Sequence, residues 1–404
     1  MRLIDDLRNR NVIIAGVVIT RFNGQPSALE FKRRLEKYGI GVFLHREIAG
    51  YPDNFDFIVS ENGFGSNPYI PVKQPLVVVT GPGPNSGKMG TCLSQIYHEY
   101  RLGNQAHYAK FETFPVWNLP LNHPVNIAYE AATADLEDVN MIDPFHLEAY
   151  GETAINYNRD IEIFPVMNAL FDDIYGSSPY KSPTDMGVNM IGSCISDDDV
   201  CREAARQEII RRYYTALGKF ADGKTTEAEV NKIALVMKKA GISTADRKTT
   251  VAARERLEKS GGATAAIELE DGTILTAETS PLLGPSAALL LNALKHLAGI
   301  EHNVKLIPKT MIAPIQKTKV TYLHGHNPRL HTDEVLVTIS MMSLLDENCK
   351  LALDQLPKLK GAQVHSTVML SEVDRKTFKK LGIDLTCDPV RKIKDPKTSV
   401  EEEL

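Results

Sequence analysis

Residues 77–100, VVVTGPGPNSGKMGTCLSQIYHEY, pass from a β-branched run through a glycine-rich turn into a helix, and few folds accommodate that succession. Behind the turn, apolar residues recur at Met89, Cys92, Leu93, Ile96, Tyr97 and Tyr100, the spacing of one helix face. Upstream, NVIIAGVVIT (11–20) is a continuous apolar run of the kind shown by a strand covered on both faces. SALEFKRRLEKYG then carries Ser27 and Glu30 as a capping box, Ala28, Phe31, Leu35 and Tyr38 on one face, and Gly39 as a stop. IGVFLHRE, DFIVSE and PLVVVT read as further strands. Strands alternating with helices predict an α/β fold with a doubly wound, mostly parallel sheet. Ligands of such sheets sit at the carboxyl ends of the strands, where this turn would lie.

The turn is close to a phosphate-binding loop without matching its usual spelling. In G-x-x-x-x-G-K-[ST], glycines let backbone amides face the phosphates, the lysine reaches the outer phosphates and the following hydroxyl binds magnesium. Gly87 and Lys88 fit; Pro82 stands where the first glycine should fall, flanked by Gly81 and Gly83, and Met89 follows the lysine. The nearest hydroxyls are Ser86 and Thr91. Gly81, Gly83, Asn85, Ser86, Gly87, Lys88 and Thr91 are therefore the candidate binding residues for a small anionic ligand; the cofactor is left open, ATP with magnesium being one candidate whose magnesium ligand this spelling does not supply. The competing reading is a strand-to-helix turn that carries an exposed lysine.

No apolar strand ends clearly in the aspartate that would complete such a site; Asp143, in DVNMIDPF, is the best candidate. It lies in a segment (110–165) rich in Asn, His, Glu, Asp and Tyr that also holds the only tryptophan, Trp117. Long irregular segments in compact domains are often functional. Lys110, Glu112, His123, Glu130, Asp135, His146, Glu148 and Arg159 are its other polar candidates, and Lys181 with Asp185 could close the same cleft. Lys88, Asp143 and Arg159 form the expected catalytic set.

With 404 residues, the chain can bury two or three cores. Its boundaries are expected at 1–190 for the α/β domain, 191–248 for a helical insertion, 249–388 for a smaller C-terminal α/β subdomain and 389–404 for a disordered, charge-dense tail. A charged N-terminus and the lack of a long apolar run argue for a cytoplasmic protein rather than a membrane or exported one. The net charge of -5 argues against a nucleic-acid partner. Five scattered cysteines without a C-x-x-C pair argue against a disulfide framework or a structural zinc site. In the helical segment, Ile209, Ile210, Tyr213, Leu217 and Phe220 share a side while Arg206, Arg211, Arg212 and Lys219 lie elsewhere, which suggests a contact between subunits of a homo-oligomer.

The last third opens with a hairpin, ATAAIELEDGTILTAE, turning at Asp271-Gly272, followed by an apolar helix from Pro285. That layout is faintly similar to the zinc deaminases, but their H-x-E and P-C-x-x-C signatures are missing. His324, His326 and His331, with Asp333 and Glu334 nearby, could line a polar cleft beside Arg329; no motif fixes a metal-binding spacing, and no metal is assigned. The next run, EVLVTISMM, reads as a strand.

Three long phrases carry a resemblance: VVVTGPGPNSGKMGTCLSQ, the segment 110–165, and SPYKSPTDMGVNM. They resemble the bacterial uncharacterised protein family 0371, whose domain is the domain of unknown function 1846. The resemblance covers most of the chain and implies an α/β domain with a phosphate-loop-like turn, a helical segment and a C-terminal α/β subdomain, with no assigned reaction. It also implies that relatives begin earlier, so that an N-terminal segment is expected to be lacking here. Two classes of function remain: an enzyme using a nucleoside triphosphate or phosphorylated metabolite, and a non-catalytic ligand-binding or oligomeric scaffold protein.

Overall fold

A computed structural model describes residues 2–83, 85–111 and 114–391. Glu112 and most of the tail, from 392 onward, lie outside the described residues. The chain divides into two compact units, Met1–Leu121 with Val139–Cys194, and Asn122–Asp138 with Ile195–Leu404.

In the first unit, strands β1 (Val17–Ile19) and β2 (Val42–Leu44) pair in parallel, Val17 opposite Val42 and Ile19 opposite Leu44. The Pro26–Lys37 helix joins them, with Pro26 at its first turn, where no amide donor is needed. Leu35 of that helix is buried with Ile40 and Val42, and Lys32 Nζ donates to the Val42 carbonyl at 2.9 Å. Further along, β3 (Asn140–Ile142) and β4 (Ile155–Tyr157) pair antiparallel around the short Pro144–Tyr150 helix. The unit's core forms where Leu93, Ile96 and Tyr97 of the Lys88–Arg101 helix meet Phe164, Met167, Leu170 and Phe171 of the Asn158–Tyr175 helix.

The expected doubly wound sheet is not what these residues form. Its first strand is ordered into a ladder over three residues only; DFIVSE contributes to the Phe55–Ile58 helix, started by Asn54 accepting from the Phe57 amide; and PLVVVT, at 75–80, has no strand partner among the described residues. The fold is mixed α/β with small sheets. The physical reason is visible in exposure: Ile13, Leu76 and Val78 are 72%, 80% and 77% exposed, so among the described residues no layer covers these stretches of the expected strands. A β-prone run becomes a strand only when its backbone groups find a neighbour.

The second unit packs the Pro124–Ala132 helix against the long Asp198–Ala221 helix and the Glu227–Lys239 helix, burying Ile127, Ala131, Ile209, Ile210, Tyr214, Val236 and Met237 together. Most of the apolar stripe expected at a subunit contact is thus buried within the unit. Its sheet runs β6 (Ile274–Glu278), β5 (Thr264–Glu268), β7 (Gln363–Ser366), β8 (Asp384–Cys387), with β5 antiparallel to both neighbours and β7 parallel to β8. The β5–β6 hairpin turns where the sequence placed it: Gly272 has φ +81° and the Thr273 amide donates to Asp271 Oδ1 at 2.9 Å. The Pro285–Leu297 helix lays Leu289, Leu290, Ala293 and Leu294 into the core. EVLVTISMM is not a strand. It belongs to the Thr332–Met342 helix, where Val335 and Ile339, four apart, are buried and a His331–Glu334 capping box fixes the start.

Candidate functional site

The predicted anion loop lies at the carboxyl end of β1. Thr20, the residue after that strand, donates from Oγ1 to the Ser86 carbonyl at 3.1 Å. Gly87 packs against the same threonine so closely that a Cβ there would stand 2.8 Å from Thr20 Cγ2, and its φ of +82° is a left-handed conformation glycine adopts without penalty. Asn85 is also left-handed, at +55°. Gly87 is the N-cap of the Lys88–Arg101 helix and no side chain caps that end, so the first-turn amides have no side-chain acceptor. Gly81 passes over Ser86: a Cβ on it would meet Ser86 Oγ at 2.5 Å, and that hydroxyl is shielded from water without a hydrogen-bond partner. Lys88 Nζ donates to the Gly83 carbonyl at 2.9 Å, folding the exposed lysine back over the loop. Thr91 is buried one turn into the helix. All seven predicted binding residues therefore belong to one continuous feature.

A cavity of about 560 Å³ opens at the same end of the strand pair. Phe22, two residues beyond Thr20, lines it together with Leu44, the last residue of β2, and Arg46, Glu47, Asn62 and Ser66. Arg46 is positioned by its amide, which donates to Asn67 Oδ1 at 2.9 Å. His45, between Leu44 and Arg46, is buried; burial holds its imidazole below the usual range, and its Nε2 has no hydrogen-bond partner.

The other predicted catalytic residues are placed elsewhere in the unit. Asp143 is fully buried. Its Oδ1 accepts from the amides of Phe145 and His146 at 3.0 and 3.1 Å, and its Oδ2 from the Thr184 amide and hydroxyl at 3.3 and 2.6 Å. It caps the Pro144–Tyr150 helix and ties it to the 183–186 turn. Arg159 stands half-buried in the first turn of the Asn158–Tyr175 helix, and Lys110 pairs with Asp160 of that helix. A second polar cluster forms around His146, whose Nδ1 meets Ser182 Oγ at 3.1 Å while Trp117 stands edge-on at 6.1 Å. Asp185 joins it, accepting from Tyr150 Oη at 3.0 Å and from the Lys181 amide at 2.7 Å. Glu148 is exposed beside this cluster.

His123, Glu130 and Asp135 belong to the second unit. His123 caps its helix, accepting from the Val125 amide at 3.2 Å, and meets Asp198 Oδ1 at 2.9 Å. Of the three C-terminal histidines, His331 is engaged by Nδ1 with Asp374 Oδ2 at 2.9 Å, while His324 and His326 are exposed on the connection before it. Among the described residues no group of three or more His, Cys, Asp or Glu could hold a metal ion.

The pattern described as the domain of unknown function DUF1846, N-terminal, matches residues 1–241, and its C-terminal counterpart matches 245–395. The chain belongs to this family. It is 53% identical over 390 residues to a UPF0371 protein of Corynebacterium urealyticum, covering 96% of this chain and 78% of that relative. It is 51% identical over 389 residues to one of Streptococcus pyogenes serotype M5, covering 96% and 79%.

In this DUF1846 chain the 81–91 turn and the 560 Å³ cavity both fall in the N-terminal match. Phe22, Arg46 and Asn62 line the cavity and are the candidates that sequence reasoning missed. Their signal is position: Phe22 follows β1 by three residues and Arg46 follows β2 by two, the place where α/β ligands are held.

Proposed function

We propose that the carboxyl end of β1 and β2 binds a nucleotide or phosphorylated metabolite, with phosphate on the 85–88 backbone and Lys88, and the remainder of the molecule in the cavity beside Phe22 and Arg46. The observation that carries this reading is the uncapped helix start at Gly87, held against Thr20 at the carboxyl end of β1, the strand-pair end where Phe22 and Leu44 line a cavity of about 560 Å³, within the range of ligand pockets. Helix N-termini favour anions because unsatisfied amides and the macrodipole act together. Left-handed Asn85 and Gly87 belong to the backbone pattern that makes anion-holding concavities.

Binding without turnover is the form the geometry favours. No hydroxyl follows Lys88, the Ser86 hydroxyl lies beneath Gly81, and both oxygens of Asp143 are already engaged within its own cluster. Calorimetric titration with ATP, ADP and inorganic phosphate tests the reading. Lys88→Ala should weaken the best of these by roughly 1–3 kcal/mol, the scale of a charge-assisted hydrogen bond. Equal affinity in the folded variant would refute the site, and phosphate release that Lys88→Ala abolishes would show an enzyme instead of a sensor.

A further inference from the structure

A second pocket, of about 210 Å³, lies wholly in the second unit. The end of the Asp198–Ala221 helix and the turn after it bring Lys219, Asp222 and Lys224; Arg375 comes from the Glu372–Lys380 helix, Met369 from the loop before it and Cys387 from the end of β8. Arg375 is the telling group. Its Nε is shielded from water with no hydrogen-bond partner, and among the described residues its guanidinium makes no ion pair. Leaving a buried polar atom of a charged group unmatched is costly, and native proteins rarely do so without a reason.

The lining carries more positive than negative charge. Asp222 is shared by Lys224 at 3.0 Å and Arg391 at 3.3 Å, and Lys219 has Glu229 at 3.7 Å. The nearby Glu372 is held by Lys376 at 2.7 Å. Among the lining side chains three cations, Lys219, Lys224 and Arg375, face one carboxylate, Asp222, an excess that matches a dianion. Burial pushes the Cys387 thiol up to about 11, so it lines the pocket as a neutral apolar group beside Met369 and offers no nucleophile.

We propose that this pocket binds a small phosphate monoester, its phosphate forked by Arg375 and its few carbons against Met369. A guanidinium presents paired N–H donors matched to phosphate oxygens, and a phosphate monoester carries close to two negative charges at neutral pH. The volume is below that of drug-sized pockets, which restricts the carbon portion.

Glycerol 3-phosphate and inorganic phosphate, titrated by calorimetry into the full chain, are the probes. The monoester should bind more tightly than inorganic phosphate. Arg375→Gln should weaken it at least about tenfold. Gly218→Leu should also block it, because a Cβ at Gly218 already stands 3.4 Å from Met369 Cε and a longer side chain fills the space with every charge retained. Lys88→Ala should leave this binding unchanged, separating it from the loop site. Absence of saturable binding, preference for inorganic phosphate, wild-type affinity in folded Arg375→Gln, or loss in Lys88→Ala would each overturn the inference.

Discussion

A carboxylate that accepts four hydrogen bonds from two elements has little capacity left for a metal or a proton. Asp143 is in that position, and Asp143→Ala should cost about 2–4 kcal/mol in urea unfolding, a lost helix cap plus orphaned Thr184 donors, with phosphate affinity unchanged. Retained stability with lost affinity would return it to the site. Asp374 gives a pH signature. Burial pushes its carboxyl up, but hydrogen bonds from His331, Ser371 and the Thr332 amide outweigh that and hold it below the usual range. The same bond to Asp374 raises His331 above its ordinary value near 6.5 against the opposing effect of burial. The folded chain therefore holds the His331 proton more tightly than the unfolded chain. That contribution is full below the unfolded value and declines as pH rises through the raised one. In Asp374→Asn the decline above about pH 6.5 should flatten; an unchanged slope in denaturant midpoints would exclude the pair as its source. Residues in a local motif, such as Gly87 and Lys88, are legible from sequence. Arg46 is not, because its neighbours in the cavity come from four separate segments.

Elements were legible where their stabilising partners are close in sequence. The Lys88–Arg101 helix, the Asp271-Gly272 hairpin and the Pro285–Leu297 helix depend on caps, turns and their own apolar faces, and all three form as expected. EVLVTISMM misled because β-branched residues are frequent in it, while the capping box that starts a helix lies just outside. The strand-to-helix turn can be tested as an element through two glycines. Gly87→Ala forces a left-handed alanine, about 1–2 kcal/mol, and drives its Cβ into Thr20, so it should lower the melting temperature and weaken phosphate binding together. Gly90→Ala, in the same helix with nothing within 4 Å of the added carbon, should instead raise stability by about 0.5–1 kcal/mol. Equal effects from both would mean that the loop conformation around Gly87 is not the one described.

At the scale of the molecule, what could not be read was which strands have neighbours, since pairing joins segments distant in the chain. No helix among the described residues is long and apolar enough to cross a membrane, yet the first unit exposes Ile13, Leu76 and Val78 on runs without strand partners. Unpaired extended backbone carrying apolar side chains is a template for pairing with another chain. Self-association of this chain is accordingly expected to run through 12–15 and 76–80. The Asp198–Ala221 helix, by contrast, has Ile209, Ile210 and Tyr214 buried within its own unit. Leu76→Lys with Val78→Lys should therefore lower the mass seen by light scattering at micromolar protein while changing unfolding free energy by no more than about 0.5 kcal/mol, the usual scale for exposed substitutions. A double variant at the exposed Val200 and Leu235 of the helical region, each changed to Lys, is the control. If that control lowers the mass and the Leu76→Lys, Val78→Lys variant does not, the contact belongs to the helices and the exposed 76–80 run is not the adhesive surface.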